Sequence, residues 1–363
     1  MQKILINKNW KFFDKKTRIY LFNVVTSKQL EITSDIDASL FVLNTIKKGT
    51  SKDKLFQQFE NNFFILGKKW LNESLEVLKH WGVISKLRTK PKKLTNEYLN
   101  GLDRQLDFLE EIFPAEGKYK KQLQLKNSKV VILGLGTIAQ HIILALTASG
   151  VGNFKCIDFD LVEKRNIGRQ PILRIDDVGK YKSDVVDKFL RESRGGIKTE
   201  TQNLMIKNVE DVKKIIKDYD IVLHCCDYPR FLIHRWINEA CLELNKPNLL
   251  VYSGRVGPFS FPHQTSCYGC MESFLKKHVK AYEELTREIT KEGMGRYPEL
   301  AVVGSITGSL AAKEIVSYIL GLEIETYNNF FDISPLNIKI TKHSLLKQKD
   351  CYACGKRKEI KKR

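Results

Sequence analysis

The chain has 363 residues, 42% of them hydrophobic and 28% charged, which allows two domains of roughly 100–200 residues each with a sizeable core. No apolar run approaches the ~18 residues of a membrane span. The opening MQKILINKNWKFF lacks the apolar stretch of about 7–15 residues that marks a secretory signal, so the expectation is a cytoplasmic protein with no membrane partner. A net charge of +19 would suit nucleic acid, nucleotide phosphates or another anionic partner. The lysines are spread along the whole chain, however, as on a solvated surface, with one local cluster in the tail KRKEIKKR.

Residues 1–90 read as a small domain. TRIYLFNVV and KQLEITS are short, β-branched and separated by a Ser-containing turn, the signature of a hairpin. Three helical patterns come after it. SDIDASLFVLNTIKKG repeats Ile36, Leu40, Leu43 and Ile46 and stops at Gly49; SKDKLFQQF opens on Ser51 as its N-cap; KKWLNESLEVLKHWGVI aligns Trp70, Leu71, Leu75, Leu78 and Trp81 on one stripe. Strands followed by three short helices resemble a winged helix. RTKPKKLTNE (88–97), basic and Pro-bearing, reads as a linker.

A second domain spans 97–363. NEYLNGLDRQLDFLEEI is an amphipathic helix carrying Arg104. Strands (KVVILG, NFKCIDFD, DIVLHCCD, NLLVYSGRVG) then alternate with helices, and GSITGSLAAKEIVSYILGL is a late buried helix. The alternation predicts an α/β fold with a doubly wound, mostly parallel, Rossmann-like sheet. The first strand runs into GLGTIA. Gly134 allows the tight turn, Gly136 lets a phosphate approach the backbone, and Ala139 takes the third position. Asp158, at the end of the second strand, is placed for ribose hydroxyls. Close helix–strand packing would use the same glycines, and the motif by itself also fits a dehydrogenase.

The stretch beyond Asp158 does not fit hydride transfer. Asp158, Asp160, Asn166, Arg169, Gln170 and Lys182 crowd polar groups and two cations just past the ribose residue. A triphosphate needs them, because an Arg and a Lys neutralise the charge that develops as pyrophosphate leaves. Asp227, ending a buried apolar strand, is a candidate Mg²⁺ ligand. Eight cysteines include two C-x-x-C pairs, Cys267/Cys270 and Cys351/Cys354. Four thiolates in two knuckles, SCYGC and DCYAC, suit a tetrahedral Zn²⁺ with no open position, hence a structural zinc. Cys156, Cys225, Cys226 and Cys241 sit in apolar segments and read as buried residues, as does His224.

The ordered set Asp158, Asn166, Arg169-Gln170, Lys182 and Asp227, followed by the two C-x-x-C pairs, resembles the ThiF/MoeB/HesA superfamily of adenylating enzymes related to ubiquitin-activating enzyme. The resemblance covers about residues 97–355. It implies that Asp158 binds ribose, that Asn166, Arg169 and Lys182 hold the triphosphate of ATP, and that Asp227 holds Mg²⁺. It also implies a homodimer in which Arg104 reaches the partner subunit's nucleotide. Tyr228 departs from the Asn usual in the family. Thioester-forming relatives place a cysteine in the crossover between Cys270 and Pro298; none stands here, so the resemblance implies chemistry that stops at the adenylate or its collapse. Gly293 and Gly295 in KEGMGRYPEL would let that loop order over a substrate.

The N-terminal domain resembles the precursor-recognition domain of enzymes that modify ribosomally made peptides, where a peptide adds as a strand to the sheet edge. A dimerisation wing is the plainer alternative. DNA binding is disfavoured because the hairpin precedes the helices. Together the two resemblances imply a peptide adenylyltransferase of the microcin C type, its partner a short peptide. The alternatives are activation of a ubiquitin-like sulfur carrier, as in thiamine or molybdopterin synthesis, and a non-enzymatic docking subunit for a leader peptide. The intact nucleotide set speaks against the last.

Overall fold

The computed structural model describes residues 3–86, 90–252, 254–291, 299–337 and 339–355. Most of the loop carrying Gly293 and Gly295, residues 88–89 of the linker and the tail KRKEIKKR lie outside the described residues. The chain forms two compact units, Met1–Leu123 and Gln124–Arg363.

The first unit opens with two strands that local pattern does not announce, β1 (Lys3–Ile6) and β2 (Trp10–Asp14). The expected hairpin comes next as β3 (Ile19–Asn23) and β4 (Gln29–Ile32), then α1 (Ile36–Lys47), β5 (Thr50–Ser51), α2 (Lys52–Asn62), α3 (Gly67–His80) and β6 (Ile84–Lys86). There are two three-stranded sheets, ordered β5-β1-β6 and β2-β3-β4. Ser51 caps α2 as its sequence predicts, accepting from the Lys54 N–H at 3.3 Å. Trp10, Leu21, Val42, Leu43, Leu55, Phe59, Leu71 and Leu75 fill one core. Phe59 stacks on Trp70 with ring centroids 5.3 Å apart. Each such side chain contributes about 1.5–3 kcal/mol on burial.

The single helix expected over 97–113 is two, α4 (Asn96–Leu99) and α5 (Asp103–Ile112), interrupted at Gly101 with φ +74°. The second of these is tied into the first unit by Glu111. This buried carboxylate accepts from Asn7 Nδ2 at 2.8 Å, from Asn9 Nδ2 at 3.3 Å and from Asn23 Nδ2. Helix α6 (Lys118–Asn127) leads into the second unit.

The second unit runs β7 (Lys129–Leu133), α7 (Thr137–Ala148), β8 (Asn153–Asp158), α8 (Lys182–Ser193), β9 (Lys198–Asn203), α9 (Val209–Ile216), β10 (Ile221–His224), α10 (Leu232–Glu243), β11 (Asn248–Tyr252) and β12 (Arg255–Ser260). It continues with α11 (Tyr268–His278), α12 (Tyr282–Lys291), α13 (Ala301–Leu320), β13 (Asn329–Ile333) and β14 (Ile340–Ser344). The eight-stranded sheet is ordered β14-β13-β12-β11-β10-β7-β8-β9. Strands β11, β10, β7, β8 and β9 are parallel, and β12 to β14 extend the sheet antiparallel. NLLVYSGRVG is thus two strands, not one. Strand β7 is apolar throughout its buried length because helices cover both faces of a parallel sheet. From β7 the chain builds outward to β8 on one side and returns to β10 on the other. That reversal opens a crevice at the strands' carboxyl ends.

Candidate active site

The turn after β7 lies at this crevice. Gly134 has φ +88° and donates its N–H to the Ile157 carbonyl at 2.9 Å. A Cβ there would stand 2.8 Å from the backbone of Cys225 and Cys226, so β7 and β10 end in contact only because the residue is glycine. Gly136, the N-cap of α7, has an ordinary φ of −71°, and a Cβ there would meet nothing within 4 Å. The first glycine is needed by the fold. The second leaves open space in front of a helix N-terminus.

That space is part of a cavity of about 1020 Å³ lined by Gly134, Gly136, Asp158, Asp160, Asn166, Arg169, Gln170, Lys182 and Asp227. Residues scattered widely over the sequence therefore share one wall system. Asp158 is buried. Its Oδ2 accepts from the Leu135 N–H at 2.6 Å and its Oδ1 from the Asp160 N–H at 2.7 Å, which fixes the carboxylate between two turns. Burial pushes its carboxyl up, the Lys182 charge opposes this, and Asp160 adds to it. Lys182, the first residue of α8, pairs with Asp160 Oδ2 at 2.7 Å and is itself almost wholly enclosed. Asn166 ends a short 3-10 turn and accepts from the Glu163 N–H at 2.8 Å. Arg169 donates from Nε to Glu299 Oε2 at 2.9 Å and from Nη1 to the Arg165 carbonyl at 2.7 Å. Gln170 is 2% exposed, and its amide oxygen accepts from Gln140 Nε2 at 3.1 Å, so it braces the cavity wall.

Asp227, just past β10, is reached by solvent yet walled by protein. Desolvation by those walls pushes its carboxyl up. The Asp160 charge adds to this, while Arg230 and Lys182 pull it back. Two carboxylates that feel each other across one cavity fit an oxygen-liganded divalent cation between them. Cys225 and Cys226, expected to be plain core residues, instead are half-buried and line the cavity. Desolvation pushes the Cys225 thiol up to about 12, which keeps it protonated and unreactive. His224 is buried as its apolar strand predicts. Its partner, His234 on α10, carries no sequence signal: His234 Nδ1 lies 2.6 Å from His224 Nε2, and His234 reaches the cavity wall. Glu299 and Thr137 are likewise cavity residues that sequence reasoning misses: Glu299 belongs to no spaced motif, and Thr137 fills an unread position inside GLGTIA. Arg104 lies on α5 in the first unit, and the cavity is built from residues of the second alone.

The four C-x-x-C cysteines converge. Their Sγ atoms all lie within 4.8 Å of one another, with Cys267–Cys351 at 3.8 Å and Cys270–Cys354 at 3.6 Å. A zinc ion with Zn–S bonds of about 2.3 Å sets tetrahedral sulfur–sulfur edges of about 3.8 Å, so the cluster has the size of a zinc cage. All four are buried. Glu272, on α11 with Cys270, joins the knuckle to the sheet-covering helix α10. It accepts from Arg235 Nη2 at 2.5 Å and from the Tyr352 hydroxyl at 2.8 Å.

A glycine turn at the switch point of a mostly parallel sheet, with carboxylates and cations gathered over it, defines an α/β enzyme of the nucleotide-binding class. The ThiF family model matches residues 102–354, and the chain belongs to that family. Among curated proteins it is similar to "Adenylyltransferase and sulfurtransferase UBA4" of Candida albicans, 25% identical over 283 residues, 75% of this chain and 63% of that protein. It is also similar to "Adenylyltransferase and sulfurtransferase MOCS3" of Xenopus laevis, 29% identical over 273 residues, 72% of this chain and 55% of that protein. The chain spans less than two thirds of the length of these relatives. Among solved structures it is similar to E. coli MccB with ATP, with 22% identity, TM-score 0.72 and coverage of 97% of this chain and 100% of that one. A structure of PaaA matches with 18% identity, TM-score 0.70 and coverage of 94% and 100%. At such identity the likeness is one of fold. Among the described residues, no helix is long and apolar enough to cross a membrane.

Proposed function

We propose that this protein is a Mg-ATP-dependent adenylyltransferase that activates the C-terminal carboxylate of a short, ribosomally made peptide. The observation that carries the reading is the single cavity that gathers Asp158, Asp160, Asn166, Arg169, Lys182 and Asp227 in front of the Gly134–Gly136 turn. Its volume of about 1020 Å³ is at the top of the range of about 300–1,000 Å³ for small-ligand sites, which leaves room for a nucleotide and an acceptor together.

In this reading a carboxylate oxygen of the peptide attacks the α-phosphorus of ATP, the bond from that phosphorus to the β-phosphate oxygen breaks, and pyrophosphate leaves with the electron pair. No general base is required, because a C-terminal carboxylate is ionised at pH 7. The obstacle is charge: two unit charges at 4 Å repel by about 4 kcal/mol at an effective dielectric of 20. Arg169 and Lys182 offset that repulsion and the charge developing on pyrophosphate. Asp158 holds the ribose and Gly136 admits the phosphates. Asp227, facing Asp160, would hold Mg²⁺, which supplies further neutralisation of phosphate oxygens when bound. The cysteine cage would hold a structural zinc.

Two observations support a peptide substrate. The likeness to E. coli MccB extends over 97% of this chain, so it takes in the small N-terminal sheets, and solved structures of that protein contain MccA. In the sheet β2-β3-β4, strands β2 and β4 are edges, the kind of template to which a peptide adds as a strand. Residues 1–90 are proposed as that clamp and 97–363 as the adenylating domain. The curated relatives favour a second reading, adenylation of a sulfur-carrier protein. The test is pyrophosphate release with Mg-ATP and, in parallel, a synthetic peptide matching the nearest very short open reading frame or a purified sulfur carrier. Peptide-dependent release supports the first reading; carrier-dependent release alone replaces it with the second.

A further inference from the structure

Glu299 does something that adenylyl transfer does not call for. It lies two residues before α13, and one of its oxygens, Oε2, accepts both from Thr137 Oγ1 at 2.6 Å and from Arg169 Nε at 2.9 Å. Both side chains of the Glu299–Arg169 pair are largely shielded, at 22% and 28% exposure. Arg169 is the guanidinium that the reaction needs for the triphosphate, and Thr137 is the first residue after Gly136, where the phosphates enter. A carboxylate therefore already sits on the phosphate-binding groups of the cavity.

From this contact we infer that Glu299 is a tethered anion that fills the polyphosphate subsite formed by Thr137 and Arg169, and that the nucleotide must displace it in order to bind. The inference rests on the adenylylation reading. Co-occupancy is opposed by charge, since two unit anions 4 Å apart repel by about 4 kcal/mol at an effective dielectric of 20, and the single Thr137 hydroxyl proton can serve only one of them. Retreat of the whole segment is resisted by packing, since α13 lies so close to α7 that a Cβ on Gly304 would stand 2.7 Å from Thr137 Cγ2. Displacement thus takes the form of a side-chain rotation at Glu299, which hands Thr137 Oγ1 and Arg169 Nε to phosphate oxygens. The exchange keeps Arg169 paired and oriented in the ligand-free protein and lowers the affinity for a nucleotide whose phosphates must displace Glu299, whereas a nucleotide too short to reach the subsite leaves it in place.

The test is calorimetric titration of the full chain, without peptide, using Mg-ATP and AMP as probes. Glu299→Gln keeps the shape and removes the charge, and it should bind Mg-ATP roughly tenfold more tightly than wild type, a change of about 1.4 kcal/mol. AMP, which lacks the displacing phosphates, should change by less than twofold. Glu210→Gln, which removes a surface carboxylate that pairs with Lys213 on α9 away from the cavity, should leave Mg-ATP affinity within twofold. On an Arg169→Ala background, where only the Thr137 hydroxyl is left to contest, Glu299→Gln should gain less than about threefold. Glu299→Ala serves as a second variant, with melting curves to verify folding of both. Weaker or unchanged Mg-ATP binding in folded Glu299 variants overturns the inference, because Glu299 would then be a support for Arg169. An equal gain for AMP, or a full tenfold gain that survives Arg169→Ala, overturns it too. A wild type that binds no Mg-ATP sinks the adenylylation reading and this inference with it, whereas a wild type that binds Mg-ATP and releases pyrophosphate can still fail the Glu299 comparison alone.

Discussion

The two glycines of the turn after β7 should separate stability from binding. Gly134→Ala places a Cβ 2.8 Å from the Cys225 carbonyl and the Cys226 Cα, all backbone atoms that cannot step aside, at a φ of +88°. The left-handed backbone costs about 1–2 kcal/mol for a residue with a Cβ. Overpacking against fixed atoms adds about 1–3 kcal/mol. The sum, about 2–5 kcal/mol, lowers the melting temperature of a unit of this size by about 2–4 °C per kcal/mol, so by roughly 10 °C. Gly136→Ala meets no atom within 4 Å at an ordinary φ of −71°, and its melting temperature should stay within about 4 °C of wild type, since a residue change at a helix N-cap typically moves stability by about 1 kcal/mol. Its methyl group stands where a phosphate approaches the backbone, so Mg-ATP affinity should fall at least about tenfold, one lost charge-assisted contact of about 1.5–3 kcal/mol. Differential scanning fluorimetry reads the first quantity and calorimetry the second. Wild-type melting of Gly134→Ala would refute the close-approach argument, and wild-type ATP binding by Gly136→Ala would refute the phosphate entry.

Arg169→Ala and Lys182→Ala should each slow peptide-dependent pyrophosphate release by about 10²–10³, the usual cost of one preorganised charge-stabilising group; turnover within twofold of wild type in both would reject their roles. Elemental analysis should find one zinc per chain, and stripping it with a chelator should lower the melting temperature, since metal held by the folded state is folding free energy. The His224–His234 pair predicts an acid limb. Desolvation holds His234 down to about 4 against an ordinary 6.5, so between those values the unfolded chain binds more protons, and stability falls as pH falls. One such group contributes at most about 1.4 kcal/mol per pH unit, and urea melts of His234→Gln should show a correspondingly shallower decline between pH 6.5 and 4. Mixing Arg104→Ala with Lys182→Ala chains, each inactive alone, should restore roughly a quarter of wild-type activity if Arg104 serves a partner subunit's site in a two-fold dimer; no recovery after verified subunit exchange argues for action elsewhere.

Much of the second unit is legible in the sequence. The glycines of a phosphate-binding turn must be close neighbours in the chain, and the carboxylate that answers them must end the next strand. Gly134, Gly136 and Asp158 can therefore be read from spacing, and the same holds for cysteines that must meet in C-x-x-C pairs. Strands β7 and β10 show in the sequence because parallel strands covered on both faces carry near-continuous apolar runs. The resemblance carries Asn166, Arg169, Lys182 and Asp227, which no local rule would join.

Folding decides what lacks a local signal. Strand β9 reads KTETQN, with no buried residue along it, and exists only because β8 offers it an edge. Strand β1 finds its partners in β5 and β6, residues far along the chain. Helix α5 looks like the start of the adenylating domain, yet Asn7, Asn9 and Asn23 draw Glu111 into the first unit. Gln170 stands beside Arg169 in the motif and lines the cavity, and only the structure shows that its side-chain amide oxygen accepts from Gln140. Glu299 stands 130 residues from the arginine it holds. Apolar periodicity and motif spacing report backbone geometry over a few residues. A buried polar group is specified by whichever distant partner satisfies it, and that partner is chosen only when the elements pack.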